Sequence, residues 1–538
     1  MAASTLLLLV LGSRLTFILD DWVYILYRRD LSADAFLSPA NEHLVAGPVA
    51  VWKLILAGFG MSSPVPFRLV STAIFMLGNW FLFVWIRRRL GGWPALLATV
   101  PVIFLGAAWE DLLWFSSISF LGGVTCGLGM LLALDRRDRS GDLGACAWLV
   151  GTLLFSSLWA PFALGAAVDI ALRRRERDWR RRAYVVLVPL ALFGLWWLGW
   201  GRDAESSVSL ANIAATPRYI ADAFTAALAA LLGLAIPTDG TNLPVWLRPL
   251  AVALAGLAIW RASRLGRIPR SLWVVFAAGM AFWILGGFAV NEGRSPWESR
   301  YQLPAGVFVL LVATELLRGA RLDRRLLAVT AVVVAAAVVG NVRYLRDAYQ
   351  SYLRTTQIIR ADLAAVEIAR NTVEPDFVIE EEFADTAYVN VDAGSYLSAA
   401  DEDGSPAYTI DELQAAPLEA RVAADKVLIN ALRPSLRPTS PAAAAPASLR
   451  CAKLASGPGA PSLTMPPGGV TIRARFRTSG SVELARFATE NGYPIELPIE
   501  IAPVEAIAIR IPTDISSVPW RMRVDGIRGS TVCRLVPL

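Results

Sequence analysis

The feature that most restricts the fold of this chain is a succession of apolar segments separated by short runs of arginine. About 20 consecutive apolar residues suffice to cross the hydrocarbon core of a bilayer. Of the 538 residues, 55% are hydrophobic and only 18% are charged, proportions that exclude an ordinary soluble enzyme. The sequence therefore predicts a polytopic α-helical membrane protein.

The apolar segments predict about eleven spans, the first of them an uncleaved helix whose N-terminus is cytoplasmic. The stretch 143–172 is too long for one crossing, and Pro161 predicts two short helices hinged near Trp159. The stretch 219–236 is predicted as a re-entrant or surface helix, because a crossing there would put the arginines of 261–270 on the wrong side. The predicted spans are residues 4–19, 69–86, 94–108, 112–134, two within 143–172, 184–200, 245–260, 272–290, 303–317 and 326–340.

The distribution of basic residues supports this orientation. Five clusters on the predicted cytoplasmic side hold 21 arginines, against nine arginine or lysine residues on the other side. The predicted membrane domain is 1–342, with a first extracytoplasmic loop at 20–67. The predicted outer face also collects Asp20, Asp21, Glu42, His43, Glu110, Asp111, Asp203, Glu205, Glu292 and Glu298.

The remaining residues, 343–538, are too polar to re-enter the membrane and predict an extracytoplasmic soluble domain. Residues 434–461 are rich in Pro, Ala and Ser and predict a linker or long loop. From about residue 469, alternating polar and apolar residues predict a β-rich, sandwich-like fold. Cys451 and Cys533 could form a disulfide across it in an oxidising compartment, or remain two buried thiols.

Other function classes are disfavoured by composition. The net charge of +6 comes from arginines that set topology, so it does not indicate nucleic-acid binding. The four cysteines and the one histidine have no zinc-ligand spacing. The Ala- and Arg-rich composition is typical of a bacterium with a GC-rich genome.

Three stretches together resemble the GT-C superfamily of integral-membrane glycosyltransferases, which use polyprenyl-phosphate sugars. They are Asp20-Asp21 at the end of the first span, the long first loop, and the stretch from Glu298 to Pro304 that opens a late helix. The Arg-Tyr-x-x-Pro pattern of this last stretch is similar to the segment found in the protein-mannosyl and aminoarabinose transferase branches of the superfamily. The resemblance covers 4–340 in layout and implies a polyprenyl-phosphate sugar donor.

Sugar transfer needs a base for the acceptor hydroxyl, and Asp20 or Asp21 is the predicted base. Desolvation beneath lipid and Trp side chains would raise its pKa to a useful range. The alternative is that the pair merely faces the aqueous boundary. Glu110 and Asp111 are predicted as a second acid or as ligands of a divalent cation, Mg or Mn, although a solvated turn would also explain them.

The leaving phosphate needs cationic groups. Arg300 is the predicted phosphate ligand, together with Tyr301, because its planar guanidinium can bind two phosphate oxygens at once. The alternative is that Arg300 pairs with Glu298. Residues 46–59 are predicted as a helix lying on the membrane, and Lys53 within it could reach the donor headgroup or snorkel to the membrane surface. These residues predict the donor side of the site.

The acceptor side is predicted at Glu42 and His43, which would orient the acceptor or bind a metal; a structural role for the histidine is the alternative. The predicted function is transfer of a sugar to a cell-wall glycan, glycolipid or protein acceptor outside the plasma (inner) membrane. A lipid-linked sugar flippase or other transporter, and a non-enzymatic cell-envelope scaffold, are the alternative functions.

Overall fold

The computed structural model describes residues 1–173, 179–204, 207–235, 246–291, 294–320, 323–379, 391–438, 452–453, 462–465, 470–473, 480–490, 493–494, 498–501, 506–525 and 531–533. Helices dominate the first part of these residues, and short strands dominate the last part.

The helices follow one another closely along the chain. They are α1 (Ala2–Gly12), α2 (Asp20–Leu26), α3 (Ala33–Leu37), α4 (Ala46–Phe59), α5 (Val65–Leu90), α6 (Gly92–Ile103), α7 (Trp109–Leu113), α8 (Ile118–Leu134), α9 (Arg139–Phe155), α10 (Trp159–Leu172), α11 (Trp179–Arg182), α12 (Tyr184–Gly199), α13 (Leu210–Leu231), α14 (Leu247–Ser263), α15 (Arg270–Phe288), α16 (Ser299–Leu316), α17 (Arg324–Ile368), α18 (Ala393–Asp403), α19 (Ile410–Ala415) and α20 (Leu418–Leu432).

The strands are short and antiparallel. They are β1 (Ser435–Pro438), β2 (Ala452–Lys453), β3 (Leu463–Thr464), β4 (Val470–Arg473), β5 (Gly480–Ala485), β6 (Thr489–Glu490), β7 (Tyr493–Pro494), β8 (Pro498–Ile501), β9 (Ala506–Arg510), β10 (Arg521–Asp525) and β11 (Thr531–Cys533). They form sheets of order β1-β9-β4-β11-β2, β3-β10-β5-β8 and β6-β7. Across neighbouring strands, Ile472 of β4 is paired with Ile507 of β9, and Val482 of β5 is paired with Val524 of β10.

The chain packs as two compact units. The membrane unit comprises Met1–Leu15, Tyr27–Gly58 and Pro64–Tyr352, and the C-terminal unit comprises Thr16–Leu26, Phe59–Ser63 and Leu353–Leu538. This division differs from the boundary predicted after residue 342, because two short segments of the first part of the chain pack with the C-terminal residues.

Several helices of the membrane unit have the length and composition of a span. Among the described residues, five qualify: Val65–Leu90, Phe115–Leu134, Arg180–Gly199, Arg270–Phe288 and Arg324–Ile368. A sixth forms if Gly92–Ile103 and Gly106–Leu113, bent by 45°, count as one. Other apolar helices are shorter; Trp159–Leu172, with 14 residues, is about 21 Å long. The count of about eleven spans therefore stays a prediction.

Helix positions that were predicted from neighbouring residues agree with the structure. The helix expected at 46–59 is α4, and the long stretch 143–172 is divided between α9 and α10 by a break at Ser156–Leu158. Helix α13 covers most of 219–236 and packs Tyr219 and Ala223 against Trp283 of α15. It is not among the described helices that qualify as spans.

Close helix packing in the membrane unit uses small residues. At Gly127 of α8, an added Cβ would lie 2.1 Å from the ring of Phe162 in α10. Helix α10 in turn packs on α15, and Phe162 contacts Phe308 of α16 at 5.3 Å between ring centroids. Such close approach is the usual means of helix association in lipid.

In the C-terminal unit, α20 is joined to the sheets through one buried carboxylate. Asp425 accepts hydrogen bonds from the backbone N–H groups of Arg486, Phe487 and Ala488, at 2.8 to 3.0 Å. Arg486 forms a buried ion pair of 2.7 Å with Asp514. The predicted Cys451–Cys533 bridge lies outside the described residues, since Cys451 and the side chain of Cys533 are not described.

Candidate active site

The acidic pair predicted as the base stands at the start of a short helix. Leu19 has a left-handed backbone, φ 48°, and α2 begins at Asp20 directly after it. A bulky residue at positive φ is uncommon and is typical of functional sites. Asp21 is fully buried and its Oδ2 accepts the backbone N–H of Ile18 at 3.1 Å, whereas Asp20 is half-buried. Asp20 is thus the more accessible carboxylate of the pair.

The C-terminal unit holds this segment in place. Trp22, fully buried, meets the ring of Tyr396 edge to face, with centroids 6.0 Å apart. The Tyr396 hydroxyl donates to Glu367 at 2.6 Å and lies 2.9 Å from the Ser405 hydroxyl. The backbone N–H of Thr16 also bonds to Thr356 Oγ1 at 3.3 Å. Sequence reasoning missed these partners, which lie more than 300 residues from α2.

A second stretch of the first loop belongs to the same unit. The N–H of Met61 donates to the carbonyl oxygen of Asp403 at 2.7 Å, and Gly60 before it has φ +65°. An added Cβ at Gly60 would lie 2.2 Å from that oxygen. The position requires glycine both for its backbone and for its space.

In the membrane unit, Glu42 and His43 lie in a tight turn. Ala40 and His43 exchange two backbone hydrogen bonds of 3.0 Å, and Asn41 between them has φ 52°. Glu42 Oε1 accepts the N–H of Ser207 at 2.6 Å, and Oε2 accepts Arg294 Nη1 at 2.9 Å. Burial raises the pKa of Glu42, but these two hydrogen bonds outweigh it and hold the pKa below its usual value.

His43 is set between charges of both signs. Burial lowers the pKa of His43 below 6.5, and the positive charge of Arg294 lowers it further, while the Glu42 carboxylate acts in the opposite direction. The charge of Arg300 also acts on the imidazole. His43 is therefore a neutral donor and acceptor at pH 7, suited to hydrogen bonding with a hydroxyl.

Glu110 meets the start of α16. Its backbone N–H donates to Ser299 Oγ at 3.0 Å, and its Oε2 accepts the backbone N–H of Arg300 at 2.9 Å. A carboxylate at a helix N-terminus is stabilised by the helix dipole and by the exposed N–H groups. This arrangement gives Glu110 a structural role and places Arg300 beside it.

Asp111 is the most unusual carboxyl group of this region. It is 1% exposed, and neither of its carboxylate oxygens has a hydrogen-bond partner among the described residues. Its charge interacts with those of Glu110 and Arg300. A buried carboxyl group without a partner in the protein is uncommon and marks Asp111 as a candidate functional group.

These residues form one group, which we call the outer cluster. It comprises Glu42, His43, Glu110, Asp111, Arg294, Glu298 and Arg300, from three separate stretches of the membrane unit. Tyr301 borders it, with its ring 5.9 Å from Phe120 and 6.5 Å from Phe282. Sequence analysis had not singled out Arg294, although its place in a polar outer loop was a usable signal.

Lys53 makes a different set of contacts. Its Nζ donates to the backbone carbonyls of Arg28 and Asp30 and lies 5.1 Å from the ring of Phe36. Arg28 likewise donates to the carbonyl oxygens of Ala35 and Ser38, at 3.1 and 3.0 Å. Lys53 thus ties the start of the first loop, at Arg28 and Asp30, to α4 within the same loop, and its contact with a donor headgroup stays a prediction.

The predicted divalent cation finds no ready-made site in the part of the chain that is described. No three His, Cys, Asp or Glu side chains converge there in a metal-binding group. The charges of Glu110 and Asp111, the predicted ligands, interact with that of Arg300. A divalent cation at Glu110 and Asp111 stays a prediction.

Two solved structures resemble the chain. They are ArnT from Cupriavidus metallidurans bound to undecaprenyl phosphate, with a TM-score of 0.46 and 14% identity, and the same protein in the apo state, with a TM-score of 0.35 and 15% identity. Each match covers 84% of this chain and 94% of the other. No protein-family model matches the sequence, and no curated protein matches it.

Proposed function

We propose that this protein is a membrane glycosyltransferase that transfers a sugar from a polyprenyl-phosphate donor to a cell-envelope acceptor on the extracytoplasmic face. The observation that carries the proposal is the outer cluster, in which Arg300, Arg294, His43 and Asp111 meet at the ends of apolar helices. The carboxylate oxygens of Asp111 have no hydrogen-bond partner in the part of the chain that is described. The structural likeness is too weak to carry a function, so the proposal stands on these residues.

The donor requires a site that is polar at one end and apolar at the other. Arg300 is the proposed ligand of the donor phosphate, because its planar guanidinium matches phosphate oxygens in a way that a lysine does not. The N-terminal amides of α16, which already bind the Glu110 carboxylate, add to the positive field at this position. The polyprenyl chain would extend along the apolar helices.

The reaction requires one proton transfer and one substitution. The base takes the proton of the acceptor hydroxyl, whose oxygen bonds to the anomeric carbon while the carbon–oxygen bond to the phosphate breaks. The electron pair of that bond leaves with the polyprenyl phosphate, whose added charge Arg300 stabilises. We assign the base to Asp20, since Asp21 is buried and bonded to Ile18.

The remaining members have supporting roles. Asp111 is the proposed second acidic group, a hydrogen-bond acceptor for a sugar hydroxyl that would supply its missing partner. Glu42 and His43 are proposed to orient the acceptor. These roles place donor phosphate, sugar and acceptor around a single cluster.

The test is transfer of a radiolabelled sugar by the purified protein in detergent or vesicles, with release of polyprenyl phosphate measured in the same samples. Arg300→Lys should weaken donor binding while leaving the chemical step largely intact, since it keeps the charge but loses the bidentate fork. The control is Arg267→Lys, at an exposed position of another loop. Incubation with a chelator addresses the divalent cation separately.

Three results would refute the proposal. Absence of transfer with every donor and acceptor tested, combined with movement of intact lipid-linked sugar across vesicles, would indicate a transporter. Absence of both would favour a scaffold. Arg300→Lys behaving like Arg267→Lys would remove Arg300 from the site.

A further inference from the structure

A cavity of about 90 Å³ lies in the membrane unit among the arginine-rich ends of its helices. Its walls come from the C-terminal ends of α5, α8, α10 and α11 and from the first turn of α15. Helix α16 links this region to the outer cluster: Ser299 starts the helix at Glu110, and Glu315 near its end bonds to Ser271 of the cavity wall at 2.6 Å. The helical rise puts the two regions about 24 Å apart. The cavity is therefore separate from the proposed active site.

Positive charge predominates in the cavity wall. Its ionisable residues are Asp135, Arg137, Asp169, Arg173, Arg182 and Arg270. Both aspartates already have an arginine partner. Asp135 lies 3.0 Å from Arg89 Nη1, and Asp169 lies 2.9 Å from Arg173 Nη2. Arg182 in turn pairs with Asp142, which lies outside the wall, at 3.1 Å. The wall holds four arginines and two aspartates, so the cavity favours an anion. We call it the arginine pocket.

Two features of the backbone add to this preference. Helix α15 begins at Arg270, so the N–H groups of its first turn and the positive end of its dipole lie at the pocket. Arg137 has a left-handed backbone, φ 57°, which is uncommon outside glycine and typical of binding sites.

The rest of the wall is apolar. Trp85, Leu131, Leu134 and Val274 line the pocket beside the charged groups. A free inorganic phosphate would gain nothing from these side chains, whereas a lipid presents a phosphate joined to hydrocarbon. Basic pockets between membrane helices on the arginine-rich side bind anionic headgroups.

We propose that the arginine pocket binds the phosphate group of an anionic lipid from the leaflet on the arginine-rich side of the membrane. Arg137 and Arg270 contact the phosphate, and the apolar wall contacts the first carbons of the lipid. This proposal is independent of the glycosyltransferase activity, because it concerns the opposite ends of the helices.

The experiment uses the full chain, purified in detergent and exchanged into nanodiscs of phosphatidylcholine with a small fraction of phosphatidylglycerol. Native mass spectrometry after release counts the lipids that stay bound. The pocket variant is Arg137→Gln with Arg270→Gln. The control is Arg136→Gln with Arg267→Gln, which removes the same charge from the same two stretches, at positions outside the pocket lining.

We expect the wild type and the control to retain phosphatidylglycerol selectively, and the pocket variant to bind it roughly 10- to 30-fold more weakly, as two surface-near charges predict. Either single variant should show an intermediate loss, which keeps the test valid if the double variant misfolds. Equal retention by the pocket variant and the control would overturn the proposal. So would thermal stabilisation by inorganic phosphate equal to that by the anionic lipid.

Discussion

Gly60→Ala tests whether the C-terminal unit fixes the first loop. Gly60 follows the last turn of α4 in a left-handed conformation, and its Cα faces the carbonyl oxygen of Asp403. Gly58, two residues earlier and within α4, has open space around it: an added Cβ there would meet nothing within 4 Å. The two substitutions add the same methyl group two residues apart, so Gly58→Ala is a matched control.

The magnitude follows from three contributions at Gly60. A left-handed backbone costs an alanine about 1–2 kcal/mol. The added Cβ, 2.2 Å from a backbone oxygen, must displace it. The displaced oxygen is the acceptor of the 2.7 Å bond from the N–H of Met61, and losing that bond costs about 0.5–1.5 kcal/mol. The sum is about 2–4 kcal/mol, whereas Gly58→Ala should be neutral or stabilise α4 by up to about 1 kcal/mol.

Hydrogen exchange of the Met61 amide in the full-length protein measures this difference. We expect Gly60→Ala to raise the exchange rate roughly 30- to 1,000-fold, which is the factor that about 2–4 kcal/mol of local opening predicts. Gly58→Ala should leave the rate unchanged or lower it. If the two variants exchange at the same rate, the contact between Met61 and Asp403 does not hold the loop, and the reasoning is refuted.

Other predictions concern single charges. Burial raises the pKa of Asp425 from 3.8 to about 6, so the folded state holds this proton more tightly than the unfolded state does. The free energy of unfolding should therefore fall by roughly 3 kcal/mol as the pH rises from 4 to 7. Pulse proteolysis in urea should detect this fall, and Asp425→Asn should abolish it; a slope unchanged by the substitution would contradict the assignment. Asp514→Asn leaves Arg486 buried without its ion-pair partner and should destabilise the C-terminal unit by about 3–5 kcal/mol in the same assay, whereas a loss below 1 kcal/mol would contradict a buried pair. His43 is the only histidine, so NMR of tag-free protein with labelled histidine reports it alone; Arg294→Gln should raise its pKa toward 6.5, and an unchanged titration would separate the two residues.

The parts of the fold that depend on local pattern were predictable. Helix α4 and the break before Trp159 follow from apolar length and from the helix-breaking effect of Pro161. Helix α5 ends on Arg87, Arg88 and Arg89, where the apolar segment that predicts the second span runs out. These features need only neighbouring residues, and the sequence contains them.

Features that depend on distant packing were not predictable. The acidic segment packs with the C-terminal unit through Trp22 and Tyr396, and no local pattern distinguishes this aromatic contact from any other. The pairing of Glu42 with Arg294 likewise joins residues 252 positions apart. The sequence suggested the chemical types of the site residues, and only the packing brought Glu42, His43, Glu110, Asp111 and Arg300 into one cluster.

The assignment of Asp20 as the base is the central claim, and single-turnover transfer by Asp20→Asn tests it most directly. Asparagine keeps the size and polarity but cannot take the proton, so the rate should fall by roughly 10²–10⁴-fold while donor binding is preserved. Asp21→Asn should mainly lower stability, since that carboxylate is buried against the N–H of Ile18. If Asp20→Asn folds and transfers sugar at the full wild-type rate, Asp20 is not the base; if Asp21→Asn also does so, the proposed mechanism is wrong.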